Sequence, residues 1–103
     1  FFYVEDAAEA IYQATLSYNK SEPVNIGTGS EISIKDLTKL IVKLTGFHGK
    51  IAWDKSKPDG QLKRMLDTSK ALKEFGFTAR TDIVTGLSKT IEWYRENRNL
   101  LKK

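Results

Sequence analysis

The sequence has 103 residues, no cysteine, a single histidine and a formal net charge of +4 at pH 7. The lack of cysteine excludes disulfide bonds, thiol nucleophiles and cysteine zinc sites, and one histidine cannot form a metal site by itself. We expect no membrane span and no signal peptide, and therefore a cytoplasmic protein in a reducing compartment. The basic excess suits an anionic small molecule such as a nucleotide, whereas the interspersed acidic residues argue against nucleic acid as the partner.

The first part of the chain predicts alternating short strands and helices. Residues 1–4 are aromatic and β-branched, which favours a strand, and residues 24–30 predict a buried strand that ends in a glycine turn. Residues 50–53 predict a third short strand. After the first strand, apolar residues recur every three or four positions and predict one face of an amphipathic helix: Val4, Ala7, Ala8, Ile11, Ala14, Thr15 and Tyr18.

The second helix has recognisable start and stop signals. Ser33 is followed three residues later by Asp36, which is typical of a helix N-terminus, and Gly46 is placed to end the helix in a left-handed conformation. Its apolar stripe consists of Ile34, Leu37, Leu40, Ile41 and Leu44. These signals predict a helix that buries one face.

A charged loop at residues 53–67 separates the third predicted strand from two further helices. Asp67 is the predicted N-cap of a short helix that Gly76 closes, and Thr81 or Asp82 is the predicted cap of the last helix. This order predicts an α/β, helix-rich fold with a few short strands, as one unit over residues 1–103. Because the sequence opens inside a predicted strand and without methionine, we expect it to be part of a longer protein.

Few residues in the chain match a known catalytic pattern. Gly27 and Gly29 precede a helix, so their amides could bind a phosphate, but the dinucleotide fingerprint needs a third glycine at a set spacing. His48 is expected to be an exposed loop residue. None of the four tyrosines is followed four residues later by lysine, and no nucleophile motif is present. We therefore predict no catalytic residue and no metal site in this chain.

The charged loop is the strongest candidate for a binding site. Lys57, Lys63 and Arg64 flank a Pro-Asp-Gly turn, which can bring their side chains toward one point. A guanidinium matches a phosphate bidentately, and an ammonium adds a compact charge. Asp59 can hold a basic side chain in place, and Asp67 can fix the following helix. The loop predicts either a diphosphate-binding site or a solvated charged surface.

Four segments resemble the C-terminal part of extended short-chain dehydrogenases/reductases, the NAD-dependent epimerase/dehydratase family. Residues 1–11 (FFYVEDAAEAI) and 22–37 (EPVNIGTGSEISIKDL) resemble segments that are general to that family. Residues 85–97 (TGLSKTIEWYREN) resemble its closing helix. Residues 53–77 are similar to the GDP-L-fucose synthase branch, in which a Lys-Pro-Asp-Gly loop leads to paired basic residues and a Leu-Asp.

The resemblance implies the nucleotide-sugar-binding portion of an enzyme that epimerises GDP-4-keto-6-deoxymannose at C3 and C5 and reduces C4 with NADPH. It implies that Arg64 contacts the nucleotide diphosphate, that Lys63 and Lys57 are second choices, and that Asn25 and Gly27 are structural. NADP would be bound mainly by an N-terminal Rossmann half that this chain lacks, so the chain by itself is expected to be inactive. The full-length enzyme is expected to form a homodimer, and the isolated chain to self-associate.

Two other functions remain open at the level of sequence. The first is another NAD-dependent nucleotide-sugar epimerase or dehydratase, since the specific sugar and base cannot be read from these residues. The second belongs to a different class, a small basic binding module without catalytic activity.

Overall fold

A computed structural model describes residues 1–60 and 64–102 of the chain. The described part consists of helices that are joined by long segments without regular secondary structure. In chain order its elements are α1 (Val4–Ser17), α2 (Ile34–Thr45), α3 (Ser69–Phe75), α4 (Ile83–Asn97) and a C-terminal 3-10 helix (Arg98–Leu101). The prediction of a helix-rich fold is confirmed.

The predicted short strands are wrong. Residues 1–3, 24–30 and 50–53 lie outside the helices, and no β-strand is assigned anywhere in the described ranges 1–60 and 64–102. Aromatic and β-branched residues favour an extended backbone, but a strand also needs a neighbour that accepts and donates its ladder hydrogen bonds. Among the described residues these segments find no such neighbour, and they remain extended connections.

The helix start and stop signals are confirmed. The Ser33 side chain accepts a hydrogen bond from the Asp36 backbone N–H at 3.0 Å, and Asp82 does the same for the Thr85 N–H at 2.7 Å. Gly46 ends α2 with φ of +69°, the left-handed conformation expected of a C-terminal glycine. These signals are local, which is why the sequence shows them directly.

The buried face of α1 differs from the predicted one. Val4 is 71% exposed and Ile11 is 60% exposed, whereas Ala10 is fully buried. α1 packs against α3 through the face that carries Ala10, and on α3 the contact includes the fully buried Ala71. Small side chains on both helices allow a close approach, so the smaller residues are buried and the larger ones face outward.

The hydrophobic core is small and lies where α1, α3 and the extended segments meet. Ala10, Ala71 and Phe77 are buried, and Phe2 packs on Phe77 edge-to-face with ring centroids 6.1 Å apart. Val24, Ile26 and Phe75 pack against this cluster from the side. The radius of gyration is 16.8 Å, compared with about 13 Å for a compact domain of this size. The chain is therefore loosely packed.

A second contact region joins α2 to α4. The two helices pack together, and the Arg95 side chain donates from Nη2 to the Thr45 carbonyl oxygen at 3.1 Å. This guanidinium binds one of the carbonyl groups that the end of α2 leaves without a helical partner. The charge is also favourable at a helix C-terminus.

Candidate functional site

Two neighbouring clefts open around the start of the chain. One has a volume of about 560 Å³ and the other about 410 Å³, and both are lined by Phe1, Phe2, Thr28 and Ser30. The larger cleft extends toward the N-terminus of α4. The smaller cleft extends toward the C-terminal end of the charged loop. Both volumes lie within the range typical of small-molecule sites.

The glycine turn forms one wall of the smaller cleft. Residues 26–30 line it, and Gly29 has φ of +70°, which side-chain-bearing residues rarely adopt. The Thr28 hydroxyl accepts a hydrogen bond from the Ser30 N–H at 3.1 Å and lies 3.3 Å from the Ser30 carbonyl oxygen. The predicted glycine turn is present, and Gly29 adopts its left-handed conformation.

Arg64 also lines this cleft, together with Met65 and Leu66. The structure therefore brings together two features that lie far apart in the sequence, a basic residue of the charged loop and the glycine turn. A guanidinium beside such a turn can bind an anionic group that enters the cleft.

The other predicted basic residues are not placed in this cleft. Lys57 is exposed and is not among the residues that line either cleft of the described structure. Lys63 lies outside the described residues. Their roles as second phosphate contacts stay predictions.

Two aspartates around the loop are held by the same local pattern, an aspartate with a serine two residues later. Asp54 accepts from the Ser56 hydroxyl at 2.6 Å and from the Ser56 N–H at 2.9 Å, and these hydrogen bonds lower the pKa of its carboxyl. The Ser69 hydroxyl and N–H likewise lower the pKa of Asp67. Both carboxylates therefore stay ionised at neutral pH and shape the backbone at each end of the loop.

The prediction that Asp67 is the N-cap of α3 is wrong by one residue. The N-cap of α3 is Thr68, whose side chain makes no capping hydrogen bond, while the Asp67 carboxylate accepts from the Ser69 N–H at 2.9 Å. Asp67 still binds the first backbone amide of α3, but through a turn that reaches two residues ahead. The role of Asp59 stays a prediction.

The two remaining motif residues lie close to the site. Asn25 is exposed on the extended segment before the turn. A Cβ atom added to Gly27 would lie 3.7 Å from Thr68 Cγ2 and 3.8 Å from Leu66 Cδ1, which are ordinary van der Waals contacts. The sequence analysis did not identify Thr68 or Leu66 as neighbours of the turn, because about forty residues separate them from it and no local pattern signals the contact.

Two features are absent from residues 1–60 and 64–102, the ranges that the structure describes. No group of three or more potential metal ligands occurs there. No helix in that part of the chain has the length and apolar character that crossing a membrane requires.

Similar proteins were found by sequence. No protein-family model matches the chain. The chain is 41% identical over 97 residues to a probable GDP-L-fucose synthase 1 of Oryza sativa subsp. japonica, a match that covers 94% of this chain and 29% of that protein. It is 42% identical over 97 residues to a putative GDP-L-fucose synthase 2 of Arabidopsis thaliana, with the same coverage of 94% and 29%. It is also 33% identical over 100 residues to a GDP-L-colitose synthase of Yersinia pseudotuberculosis, covering 96% of this chain and 32% of that protein.

The fold is also similar to a solved structure. The Bordetella bronchiseptica enzyme WbmF in complex with NADH matches with a TM-score of 0.84 and 34% identity, over 98% of this chain and 30% of that one. The same enzyme in complex with NAD+ and UDP gives the same values of 0.84, 34%, 98% and 30%. The chain spans about a third of the length of the proteins that it matches. It belongs to the extended short-chain dehydrogenase/reductase family and corresponds to the C-terminal part of a GDP-L-fucose-synthase-like member.

Proposed function

We propose that this chain is the nucleotide-sugar-binding portion of an NADP-dependent epimerase/reductase that acts on GDP-4-keto-6-deoxymannose. The observation that carries the proposal is the position of Arg64, which lines a cleft of about 410 Å³ that is also lined by the glycine turn. The sequence similarity to proteins named GDP-L-fucose synthase supports the choice of substrate.

Arg64 has the chemistry that a nucleotide diphosphate requires. Its planar guanidinium can donate two parallel hydrogen bonds to phosphate oxygens, and its charge offsets part of the charge of the diphosphate. Lys57 and Lys63 are the second candidates for this contact, from the loop that precedes Arg64. In this role the chain binds and orients the nucleotide, and the sugar points toward groups that this chain does not supply.

The reacting groups of the proposed enzyme lie elsewhere in the polypeptide. The reaction epimerises C3 and C5 of the sugar and reduces C4, and NADPH supplies the hydride when bound. The residues of this chain do not fit a dinucleotide, because the turn at residues 27–29 lacks the third glycine of the fingerprint and α2 begins only at Ile34. The chain by itself is therefore proposed to be inactive, within a cytoplasmic homodimer of the full-length enzyme.

The test is turnover by the full-length polypeptide that carries these residues. With GDP-4-keto-6-deoxymannose and NADPH it should consume the nicotinamide absorbance, whereas the 103-residue chain should not exceed a buffer blank. Turnover by the chain would contradict its inactivity. Absence of turnover by a folded, NADPH-binding full-length polypeptide would contradict the proposed substrate.

A second candidate function is another nucleotide-sugar epimerase or dehydratase that uses NAD. Its support is the 33% identity to a GDP-L-colitose synthase and the similarity to an enzyme solved with NAD+ and UDP. The two candidates are tested by measuring how strongly GDP and UDP each compete with the nucleotide-sugar substrate for the full-length polypeptide. Stronger competition by UDP supports the alternative. Stronger competition by GDP excludes only a UDP sugar, and a preference for NAD over NADP would then still favour the alternative.

A basic binding module without catalytic activity is the remaining alternative from the sequence. It predicts a start codon near Phe1 and a chain that folds and binds its ligand independently. A reading frame that continues upstream into a glycine-rich segment and a Tyr-x-x-x-Lys motif would contradict it.

A further inference from the structure

The glycine turn makes a close contact with the segment that carries Arg64. A Cβ atom at Gly29 would lie 3.2 Å from the Thr68 hydroxyl oxygen, tighter than almost all observed Cβ contacts. At Gly27 the same addition meets Thr68 and Leu66 only at ordinary distances of 3.7 and 3.8 Å. A side chain at Gly29 would therefore require the Thr68 hydroxyl group to move by a few tenths of an ångström.

This contact involves Gly29, which lines the smaller cleft, and Thr68, which is not among the lining residues. Arg64 and Leu66 line the cleft together with Gly27 and Gly29, and only a few residues of extended chain separate Arg64 from Thr68. If Thr68 moves away from the turn, the displacement passes along this short segment to the Arg64 backbone. A bidentate guanidinium contact tolerates little displacement, because both of its hydrogen bonds must stay aligned.

We propose that Gly29 is a positioning residue that sets the distance between the glycine turn and the Arg64 segment, and so sets the affinity of the cleft for a nucleoside diphosphate. This inference builds on the proposed function, since it concerns the same cleft. In this proposal Gly29 does not contact the phosphate. It acts through Thr68, whose position determines the position of Arg64.

Gly29→Ala in the full-length polypeptide is the test, with GDP as the probe. Two control variants separate the possible effects. Gly46→Ala introduces the same kind of strain, since Gly46 has φ of +69°, but no atom of the described residues lies within 4 Å of the added Cβ. Gly27→Ala adds a methyl group to the same turn at ordinary contact distance.

Gly29→Ala should raise the Kd for GDP about tenfold, the loss expected when a charge-assisted hydrogen bond is misaligned. Gly46→Ala should lower the Tm about as much as Gly29→Ala does and leave the Kd for GDP unchanged. Gly27→Ala, which adds a methyl group to the lining of the same cleft, should raise the Kd for GDP less than Gly29→Ala does. An equal change in Kd for Gly29→Ala and Gly46→Ala would overturn the inference, because the effect would then come from backbone strain or lost stability.

Rescue by Thr68→Ala tests the contact itself. The Thr68 side chain makes no capping hydrogen bond to α3, so its removal should change little by itself. Combined with Gly29→Ala, it should restore GDP affinity, and failure to do so would contradict the positioning role.

If the wild-type polypeptide does not bind GDP, the proposed function fails. The inference is then tested by the backbone amide chemical shifts of Arg64 and Leu66. Gly29→Ala should change these shifts, and the double variant Gly29→Ala with Thr68→Ala should return them toward the wild-type values.

Discussion

Asp6 connects two parts of the chain that are far apart in sequence. It is buried at the start of α1, and its carboxylate accepts hydrogen bonds from the Thr81 N–H at 2.9 Å and the Thr81 hydroxyl at 3.1 Å. From the sequence it could be recognised only as an acidic residue in the first turn of a helix, where it is favourable to the dipole. The structure adds a tertiary role, which is to attach the start of α1 to the segment before α4.

Asp6→Ala should lower the free energy of unfolding by about 1.5–3 kcal/mol, the range typical of hydrogen bonds to a charged group. The physical reason is that the Thr81 N–H and hydroxyl would lose their acceptor in a partly buried region. Urea denaturation measures the change. Glu5→Ala is the matched control, because Glu5 is also acidic and in the first turn of α1 but is exposed. Equal effects of the two substitutions would show that helix-dipole stabilisation explains both.

At the scale of helices, a structural feature could be predicted when the residues that determine it are close together in the sequence. The cap at Ser33 and the left-handed Gly46 involve atoms within one helical turn, and the sequence identifies both correctly. Residues 50–53 have a composition favourable for a strand, but pairing depends on a neighbour that no local pattern supplies. The strand predictions therefore failed, whereas the predicted boundaries of α2 and the predicted start of α4 were confirmed.

The orientation of α1 was predicted wrongly for a related reason. The helix has one stripe of larger apolar residues, including Val4 and Ile11, and another face centred on Ala10. Hydrophobic periodicity favours the first, because it weighs side chains by size and apolarity. Which face packs depends on α3, where Ala71 leaves space for a close helix contact. That information lies outside α1.

Ala10→Leu and Ala8→Leu test this orientation as a matched pair on one helix. Ala10 is fully buried, so the larger side chain should force α1 and α3 apart and cost about 1–3 kcal/mol of stability. Ala8 is exposed, so the same substitution there should change the free energy of unfolding by less than about 0.5 kcal/mol. Thermal or urea unfolding measures both. A larger loss at Ala8 than at Ala10 would mean that the predicted stripe is the buried one.

At the scale of the whole molecule, the candidate site combines residues that sequence analysis found separately. Residue type and resemblance identify Arg64 and the glycine turn, each from its own segment. Their meeting in one cleft depends on how the segment at residues 64–68 lies along the turn, which is a tertiary arrangement. The chemistry could therefore be predicted, whereas the shape of the cleft and the contact with Thr68 could not.

The isolated chain should self-associate, because it buries little of its apolar surface. Its radius of gyration of 16.8 Å is large for its length, and Phe1 is 68% exposed at the start of the extended segment at residues 1–3. Such a segment has unpaired backbone groups and an apolar surface that a second copy can cover.

Sedimentation at micromolar concentration should show a mass that increases with concentration, and Phe1→Ser should reduce the increase. Lys102→Ser, at the other end of the described chain, is the control and should leave the mass distribution unchanged. A concentration-independent monomer with cooperative unfolding would contradict the prediction and favour an independent binding module.

The account is tested most directly by the affinity of the full-length polypeptide for its nucleotide sugar when Arg64 is replaced by alanine. Arg64→Ala should weaken binding by about 1.5–3 kcal/mol, the range for hydrogen bonds to a charged group, and should leave NADP affinity unchanged. Arg98→Ala is the control, since Arg98 lies in the C-terminal 3-10 helix and lines neither of the two clefts described. Isothermal titration calorimetry with the GDP sugar measures the affinity of the wild-type polypeptide and of the two variants. Unchanged affinity in Arg64→Ala would mean that the charged loop is a solvated surface and that the nucleotide binds elsewhere.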